Sequence, residues 1–524
     1  MHCVIGSGPA GVACAKALLA RRTQVLMLDA GMELEIERTE LVRQLASLNA
    51  SQWPPESVAI LKNAMHASSK RIPQKLIFGS NYPYRDAEHH AAWRSDNASV
   101  RPSLALGGFS TVWGAAMLPY CDEDLENWPV KNKELAPHYR AVAEFTGLAA
   151  QRDELEELFP LYCESPGALQ TSNQANSFLQ NLESHRSELH KSGWRFGRAR
   201  LALRAADSSR GAGCVYCRMC LYGCPYGCIY NSAETVSEMR ADKNFKYQRD
   251  IIVVKVRENA EKVFISGYNR LTCEPLSFEA NRVYLAAGII PTTQILLRSQ
   301  NTYDHPLRAR DSQYFIFPLL AARRARDVRD EAAYTLSQLF IELNHPRISR
   351  RAVHLQIYTY NDIIAQTVRK SLGPLKIFSR PIEERILIAQ GYLHSDESPE
   401  IEMTLKRDGE KDFLQLNAKQ NSETRRIVKK VLRDFLRNAR RLGAIPLTPM
   451  LQLMPPGAGF HSGGTFSMRA QPQAFESDLL GRPHGWSRVH AVDASIFPSV
   501  PATTITFSVM ANAHRIGWET GKLD

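Results

Sequence analysis

The sequence predicts an α/β protein, with a parallel sheet that begins at the first residues and a separate antiparallel sheet in the second half of the chain. Three observations carry this. CVIGSGPAGVACAKALLARRTQVLMLDAG reads as a short apolar strand, a glycine turn, an Ala- and Leu-rich helix and a second strand ending at Asp29. VYLAAGIIPTTQILLRS repeats the order strand, glycine turn, helix, with the helix beginning near Pro291. Between Ser312 and Asn417, runs such as AAYTLSQLFIEL, AVHLQIYTY and EIEMTL alternate apolar and polar residues, as antiparallel strands with one covered face do.

In the first unit Gly6, Gly8 and Gly11 stand at GxGxxG spacing. Gly6 permits the tight turn, Gly8 lets the backbone approach a pyrophosphate, and Gly11 lets the helix pack on the strand. The helix N-terminus then faces the phosphates, and Asp29 stands where a carboxylate holds a ribose hydroxyl. Strand, helix, second strand and carboxylate together predict dinucleotide binding.

At 524 residues the chain suits two large, interleaved domains rather than one small core. It is 44% hydrophobic and 23% charged, and no apolar run approaches the roughly 20 residues that span a bilayer. Because MHCVIGSGPAG puts a strand at the second residue, it leaves no room for a leader, and the expectation is a cytoplasmic protein. The net charge is +11, with Arg and Lys gathered in AARRARDVR, RISRRAV and RRIVKKVLRDFLRNARR. In the last of these Ile427, Val428, Val431, Leu432, Phe435 and Leu436 recur near helical spacing, which predicts an amphipathic helix with a solvated basic face. The remaining field suits an anionic substrate, an acidic partner or a lipid surface. No nucleic-acid recognition motif accompanies it.

Along the chain, Glu33 to Arg94 reads as helix and loop, and Asp122 to Arg204 as mostly helix. Between them Gly107, Gly108 and Gly114 in RPSLALGGFSTVWGAAMLP predict a backbone pressed against something flat. KYQRDIIVVKVREN reads as one strand, and a last helix is expected near Ser508 to Trp518.

Five of the ten cysteines fall within CVYCRMCLYGCPYGC. Cys214, Cys217, Cys220 and Cys224 before Pro225 form the C-x2-C-x2-C-x3-C-P run of iron–sulfur ligation. Tetrahedral zinc takes two pairs set further apart, and a reduced structural loop is the third reading. We expect one [4Fe-4S] cluster on those four residues, with Cys228 as a substitute ligand, and a [3Fe-4S] centre if one thiol points away. Cys3, Cys14, Cys121, Cys163 and Cys273 read as small apolar residues.

GSGPAG with Asp29, GGFSTVWG, AAGIIPTTQILLRS, HSGGTFSM and VDASIFPSVPATTITFSVMANAHRI occur in the order found in the glucose-methanol-choline (GMC) oxidoreductases. The chain resembles that family over nearly its whole length, with the substrate domain alike only in pattern. It is most similar to the pyranose-oxidase-like and iron–sulfur sugar dehydrogenase branches. The resemblance implies a Rossmann-like FAD-binding domain from residues 1–120, 206–300 and 451–524. It implies a substrate domain from 121–205 and 301–450 on an antiparallel β-sheet, an architecture like that of p-hydroxybenzoate hydroxylase. It assigns cofactor contacts to Gly6, Gly8, Pro9, Ala10, Gly11, Asp29, Ala30, Gly107, Gly108, Ser110, Trp113, Gly114, Ala287, Gly288, Asp493, Ala494, Thr504 and Ile505.

His461 matches the catalytic histidine of the family, and a histidine near neutral pKa suits removal of a hydroxyl proton as hydride leaves carbon. The family's second His or Asn falls near Thr504, which can hydrogen-bond a substrate oxygen but is a poor base; a helix cap or ST-turn is its other reading. Val112 stands where some relatives carry a histidine linked to the flavin, so FAD is expected without a covalent bond. The implied activity is a sugar or polyol dehydrogenase whose cluster passes electrons to a protein or quinone acceptor. The alternatives are an oxidase using oxygen and a flavin and iron–sulfur electron-transfer subunit.

Overall fold

The computed structural model describes residues 1–63, 75–208 and 211–521; the expectation of helix and loop at 64–74 lies outside them. A five-stranded parallel sheet runs in the order Val489–Ala491, Val283–Leu285, His2–Ile5, Val25–Leu28, Phe245–Gln248. Its central strands are buried on both faces, which is why HCVI and VLML are uniformly buried rather than alternating. The helices Pro9–Ala20 and Thr506–Thr520 pack on each other beside this sheet. Their approach is close: a Cβ on Gly517 would lie 2.7 Å from the Cys14 carbonyl oxygen.

KYQRDIIVVKVREN is two strands, not one. Asp250 takes a left-handed φ of 61°, which turns the chain between them. Phe245–Gln248 stays in the parallel sheet, whereas Ile251–Glu258 opens a three-stranded antiparallel ribbon with Val263–Asn269 and Pro275–Ala280.

The antiparallel layer is a seven-stranded sheet in the order Ala444–Pro446, Tyr314–Ala321, Ile386–Tyr392, Val353–Tyr358, Leu339–Leu343, Trp194–Arg198, with Gln452–Leu453 also on Tyr314–Ala321. One face carries Phe315, Phe317, Ile341, Leu355 and Ala389, and lies under the helices Asn173–Ser184 and Ser422–Arg437. Across that face Ile341 stands opposite Leu355, and Phe315 opposite Gly391. The predicted amphipathic helix buries Ile427, Val428, Val431, Leu432 and Phe435, each worth about 1.5–3 kcal/mol of apolar burial, while Leu436 stays exposed. The Asp122 to Arg204 stretch is less helical than its composition predicts, because WRFGR buries Trp194 and Phe196 by strand alternation at the sheet edge. Within AAYTLSQLFIEL only Leu339–Leu343 is strand.

A further five-stranded sheet orders Ser462–Gly463, Pro306–Asp311, Glu400–Asp408, Lys411–Lys419 and Trp93–Ser95. Trp93–Ser95 corrects the reading of Glu33 to Arg94 as helix and loop, for it pairs in parallel with Leu414 to Leu416. Among the described residues no helix is long and apolar enough to cross a membrane.

Candidate active site

The glycine turn is built as its spacing requires. Gly6 has a φ of 102°, and a Cβ there would lie 2.5 Å from the Ala286 carbonyl oxygen and 3.1 Å from the Ala287 Cα. A Cβ on Gly11 would lie 1.9 Å from the Gly6 carbonyl oxygen. Gly8 differs, since a Cβ there would meet only the Gly108 Cα, 3.9 Å away. Behind Gly8 starts the helix Pro9–Ala20, with Pro9 in its first turn, Ala10 buried, and no side chain capping its amides. An open backbone face before an uncapped helix N-terminus has the donors and the space a pyrophosphate needs.

Ser7, which the motif reading passed over, ties this turn together. Its hydroxyl donates to Asp29 Oδ2 at 2.6 Å and accepts from the Gly107 amide at 2.9 Å, while its amide donates to Asp29 Oδ1 at 3.2 Å. Tyr247 donates to Asp29 Oδ2 at 3.0 Å. Burial pushes the Asp29 carboxyl up to about 6, against the pull of these hydrogen bonds. Beside it, the Ala30 carbonyl accepts from Arg270.

The GGFSTVWG segment lies on the glycine turn, and part of the flat surface predicted for it is the turn itself: a Cβ on Gly108 would be 3.1 Å from the Gly8 Cα. Ser110 donates to the Gly107 carbonyl at 2.6 Å and accepts from the Ser232 amide at 2.9 Å. The Trp113 indole donates to the Tyr230 carbonyl at 2.9 Å, and Lys75 to the Trp113 carbonyl at 2.8 Å. On the far side Asp493 accepts from the Gly288 amide, the Thr292 hydroxyl and the Ser495 amide, closing the start of the helix Ile289–Ser299. The Ala494 carbonyl accepts from the Gly464 amide, which joins this corner to the loop of His461.

That loop is pinned at both ends. Asp311 accepts from the Gly457 amide at 2.8 Å and the Ser462 hydroxyl at 2.7 Å, and burial pushes its carboxyl up to about 7. The Ser312 amide donates to the His461 carbonyl at 3.0 Å. Phe460, with a φ of 57°, packs on Phe109 with ring centroids 4.9 Å apart. The His461 ring stacks on Tyr392, and Tyr392 on Tyr314, each pair 5.0 Å between centroids. His461 Nδ1 is buried without a hydrogen-bond partner among the described residues. Burial, helped by the nearby His354, lowers its pKa from 6.5 to about 4, so the ring is neutral at neutral pH. A neutral imidazole with an unused nitrogen can accept a proton.

Thr504 lies elsewhere in the bonding scheme. Its Oγ1 accepts from the Leu118 amide at 3.2 Å, and Ile505 follows it directly into the helix Thr506–Thr520. In this segment it is the neighbouring Thr503 whose hydroxyl is buried without a partner among the described residues.

In place of a second histidine near the last helix, the sheet brings up its own polar row. Register sets Tyr314 opposite Tyr392, Tyr392 opposite His354, and His354 opposite Glu342, on the face turned away from the helices. His354 Nδ1 lies 2.5 Å from Glu342 Oε1. No motif announces this row, because its members come from four strands.

The cysteine loop folds back on itself. None of the ten cysteines is in a disulfide. The Cys228 amide donates to Cys224 Sγ at 3.3 Å and the Thr335 amide to Cys220 Sγ at 3.4 Å. The thiol of Cys228, with amides including its own, lowers the Cys224 pKa, while burial raises Cys214 and Cys217 to about 12 and also raises Cys220. Among the described residues no group of three or more His, Cys, Asp or Glu is placed to hold a metal ion. Neither the expected iron–sulfur ligand set of Cys214, Cys217, Cys220, Cys224 and Cys228 nor a tetrahedral zinc site is therefore preformed among them. The loop leads directly to Asn231 and Ser232, against Ser110 and Gly107.

No family model matches the chain, and no curated protein matches it. Among solved structures it is similar to pyridoxine 4-oxidase from Mesorbium loti, at 16% identity over 99% of this chain and 98% of that one, with a TM-score of 0.63. The likeness extends over the whole chain and is one of fold: an α/β architecture in which a parallel dinucleotide-type sheet stands beside antiparallel sheets.

Proposed function

We propose that this chain is an FAD-dependent oxidoreductase of the GMC type that oxidises a CH–OH group. The observation that carries the reading is His461: a neutral imidazole, stacked on Tyr392, with a buried nitrogen that no described residue uses. The open face of Gly8 and the uncapped helix behind it suit the pyrophosphate, and Asp29 stands just past the second strand, where its carboxylate reaches a ribose hydroxyl by giving up one of its bonds to Ser7, Tyr247 or the Gly31 amide. Bound without a covalent link, FAD supplies the acceptor for hydride. His461 takes the hydroxyl proton, Tyr392 holds the ring, and Asp311 holds the loop that carries it. The FAD-binding part is assigned to residues 1–120, 206–300 and 451–524 and the substrate part to 121–205 and 301–450. The parallel strands support this, and Trp93–Ser95, Gln452–Leu453 and Ser462–Gly463 are the strands that cross to the other side.

For the finer activity we propose a dehydrogenase of a sugar or polyol. Cys214, Cys217, Cys220 and Cys224 would hold an iron–sulfur cluster, with Cys228 as a fifth thiol beside them. A cluster spreads its thiolates around several metal ions rather than one, and it carries electrons singly. The spacing of the run and the contact of its exit residues with GGFSTVWG support a route to an external acceptor. A second reading is an oxidase with a thiol loop that holds no metal. It is favoured by the lack of a metal-ready group among the described residues and by the fold shared with an oxidase.

Protein purified without air would be tested for flavin, iron and sulfide, then mixed with glucose, other pyranoses, glycerol or pyridoxine. Bleaching of the flavin band in the wild type, absent in His461→Ala that still holds FAD, supports the assignment. His461→Ala with unchanged bleaching overturns it. Iron and sulfide in the preparation favour the dehydrogenase; oxygen consumption matched to turnover, with no iron, favours the oxidase.

A further inference from the structure

The polar face of the seven-stranded sheet holds a line of hydrogen bonds whose direction can be followed group by group. Glu342 Oε1, buried with the rest of its side chain, lies 2.5 Å from His354 Nδ1. Burial raises the Glu342 pKa against the pull of His354, and Glu342 Oε2 has no partner among the described residues; as the carboxylate Glu342 only accepts, so Nδ1 carries the proton and Nε2 is left as an acceptor. Gln356 Nε2 stands 3.3 Å from His354 Nε2 and donates to it, which turns the amide oxygen of Gln356 outward. Tyr358 donates to that oxygen at 3.3 Å. Every member of the line gives its proton toward Glu342, and the phenol oxygen of Tyr358 is left as an acceptor at the far end. The Ser337 hydroxyl stands beside this oxygen and takes at most one of its two lone pairs.

The far end lies at the candidate active site. A Cβ added to Gly114, the last residue of GGFSTVWG, would be 3.4 Å from the Tyr358 hydroxyl. His354 also sits 6.3 Å, centroid to centroid, from Tyr392, the ring on which His461 stacks. Thr504, where a second polar partner is expected from the last-helix segment, is engaged by the Leu118 amide.

We propose that Glu342, His354 and Gln356 are positioning residues that fix the Tyr358 hydroxyl as a hydrogen-bond acceptor, and that Tyr358 receives a hydroxyl donor of the bound substrate. A second polar contact thus comes from the sheet, while Thr504, which accepts from the Leu118 amide, can still donate from the segment before the last helix. A substrate with a hydroxyl besides the one being oxidised is matched to such a site, because His461 takes the reacting proton and Tyr358 accepts from the other. This rests on the oxidoreductase reading for its substrate, and on the sheet alone for the line itself.

The line is read first without cofactor or substrate, from the ring nitrogen signals of 15N-histidine-labelled protein. A protonated Nδ1 and an accepting Nε2 are expected for His354, both moved by Glu342→Gln. A His354 signal that Glu342→Gln leaves in place overturns the line, whether or not the protein binds flavin. On flavin-loaded protein, Tyr358→Phe is expected to lower the second-order rate of flavin bleaching about 10-fold for glycerol or a pyranose, in protein that still folds and holds flavin. Glu342→Gln is expected to reproduce much of that loss, and to add little to it in the Tyr358→Phe background. A full rate in Tyr358→Phe, or losses that simply multiply, overturns the role in substrate contact. A wild type that holds no flavin overturns the preceding reading and this substrate role with it, and leaves the histidine signals to decide the line.

Discussion

Tyr392 lies against the face of His461, with ring centroids 5.0 Å apart and planes inclined by 28°. Tyr392 ends one strand and His461 immediately precedes another in a different sheet, and the contact sets which way the imidazole faces. Tyr314 backs Tyr392 in the same manner, so three rings stand in series behind one unused nitrogen.

Replacing the stack should therefore separate orientation from chemistry. Tyr392→Phe keeps the ring and is expected to hold the rate within about 3-fold, whereas Tyr392→Leu removes it and is expected to lower flavin reduction about 10- to 100-fold with FAD still bound. Stopped-flow reduction rates check this. Equal rates in the two variants would show that the stack has no part in aiming His461.

Asp311 satisfies the Gly457 amide and the Ser462 hydroxyl from inside the protein. Asp311→Ala strands both, at about 1–3 kcal/mol each, and is expected to lower stability and loosen the His461 loop together. Chemical denaturation measures the first and proteolysis near Phe460 the second. Wild-type stability would mean that water replaces the carboxylate without cost.

Ser7 couples Asp29 to Gly107 through one hydroxyl. Ser7→Ala should weaken FAD binding about 10-fold, since the glycine turn and the segment lying on it lose their common tie. Flavin retention on dilution reads this directly, and retention equal to wild type would assign Ser7 to packing alone.

The depressed pKa of His461 has a consequence in acid. Its folded value, about 4, lies below its ordinary 6.5, so between these values the unfolded chain takes up a proton that the folded protein does not. This contribution to stability is lost as pH falls from about 6.5 to about 4. In His461→Gln that proton uptake is absent, and stability is expected to fall less steeply over the same window. Parallel curves for the two proteins, from denaturation at several pH values, would contradict a buried neutral ring.

How much of this was legible in the sequence follows from how local each signal is. Gly6, Gly8, Gly11 and Asp29 are joined by one strand–helix–strand unit, so spacing alone brought them together, and the structure adds Ser7 between two of the glycines. His461 lies in a short glycine-bearing motif and could be singled out in the same way. Tyr314, Glu342, His354 and Tyr392 could not, because only the register of four strands places them in one row, and each is ordinary within its own alternating run. Trp194–Arg198 was hidden for a related reason: a five-residue edge strand between helices leaves too few alternations to outweigh its polar surroundings. The cysteine run was plain as a pattern, yet a pattern of thiols does not state whether they gather about metal.

The most direct measurement is the flavin itself. Protein purified without air and precipitated with acid should release about one FAD per chain into the supernatant, as expected with Val112 rather than a histidine before Trp113 and an open glycine turn at Gly8. A supernatant and a pellet both without flavin would contradict the account at its base, and His461 would then need another partner for its unused nitrogen.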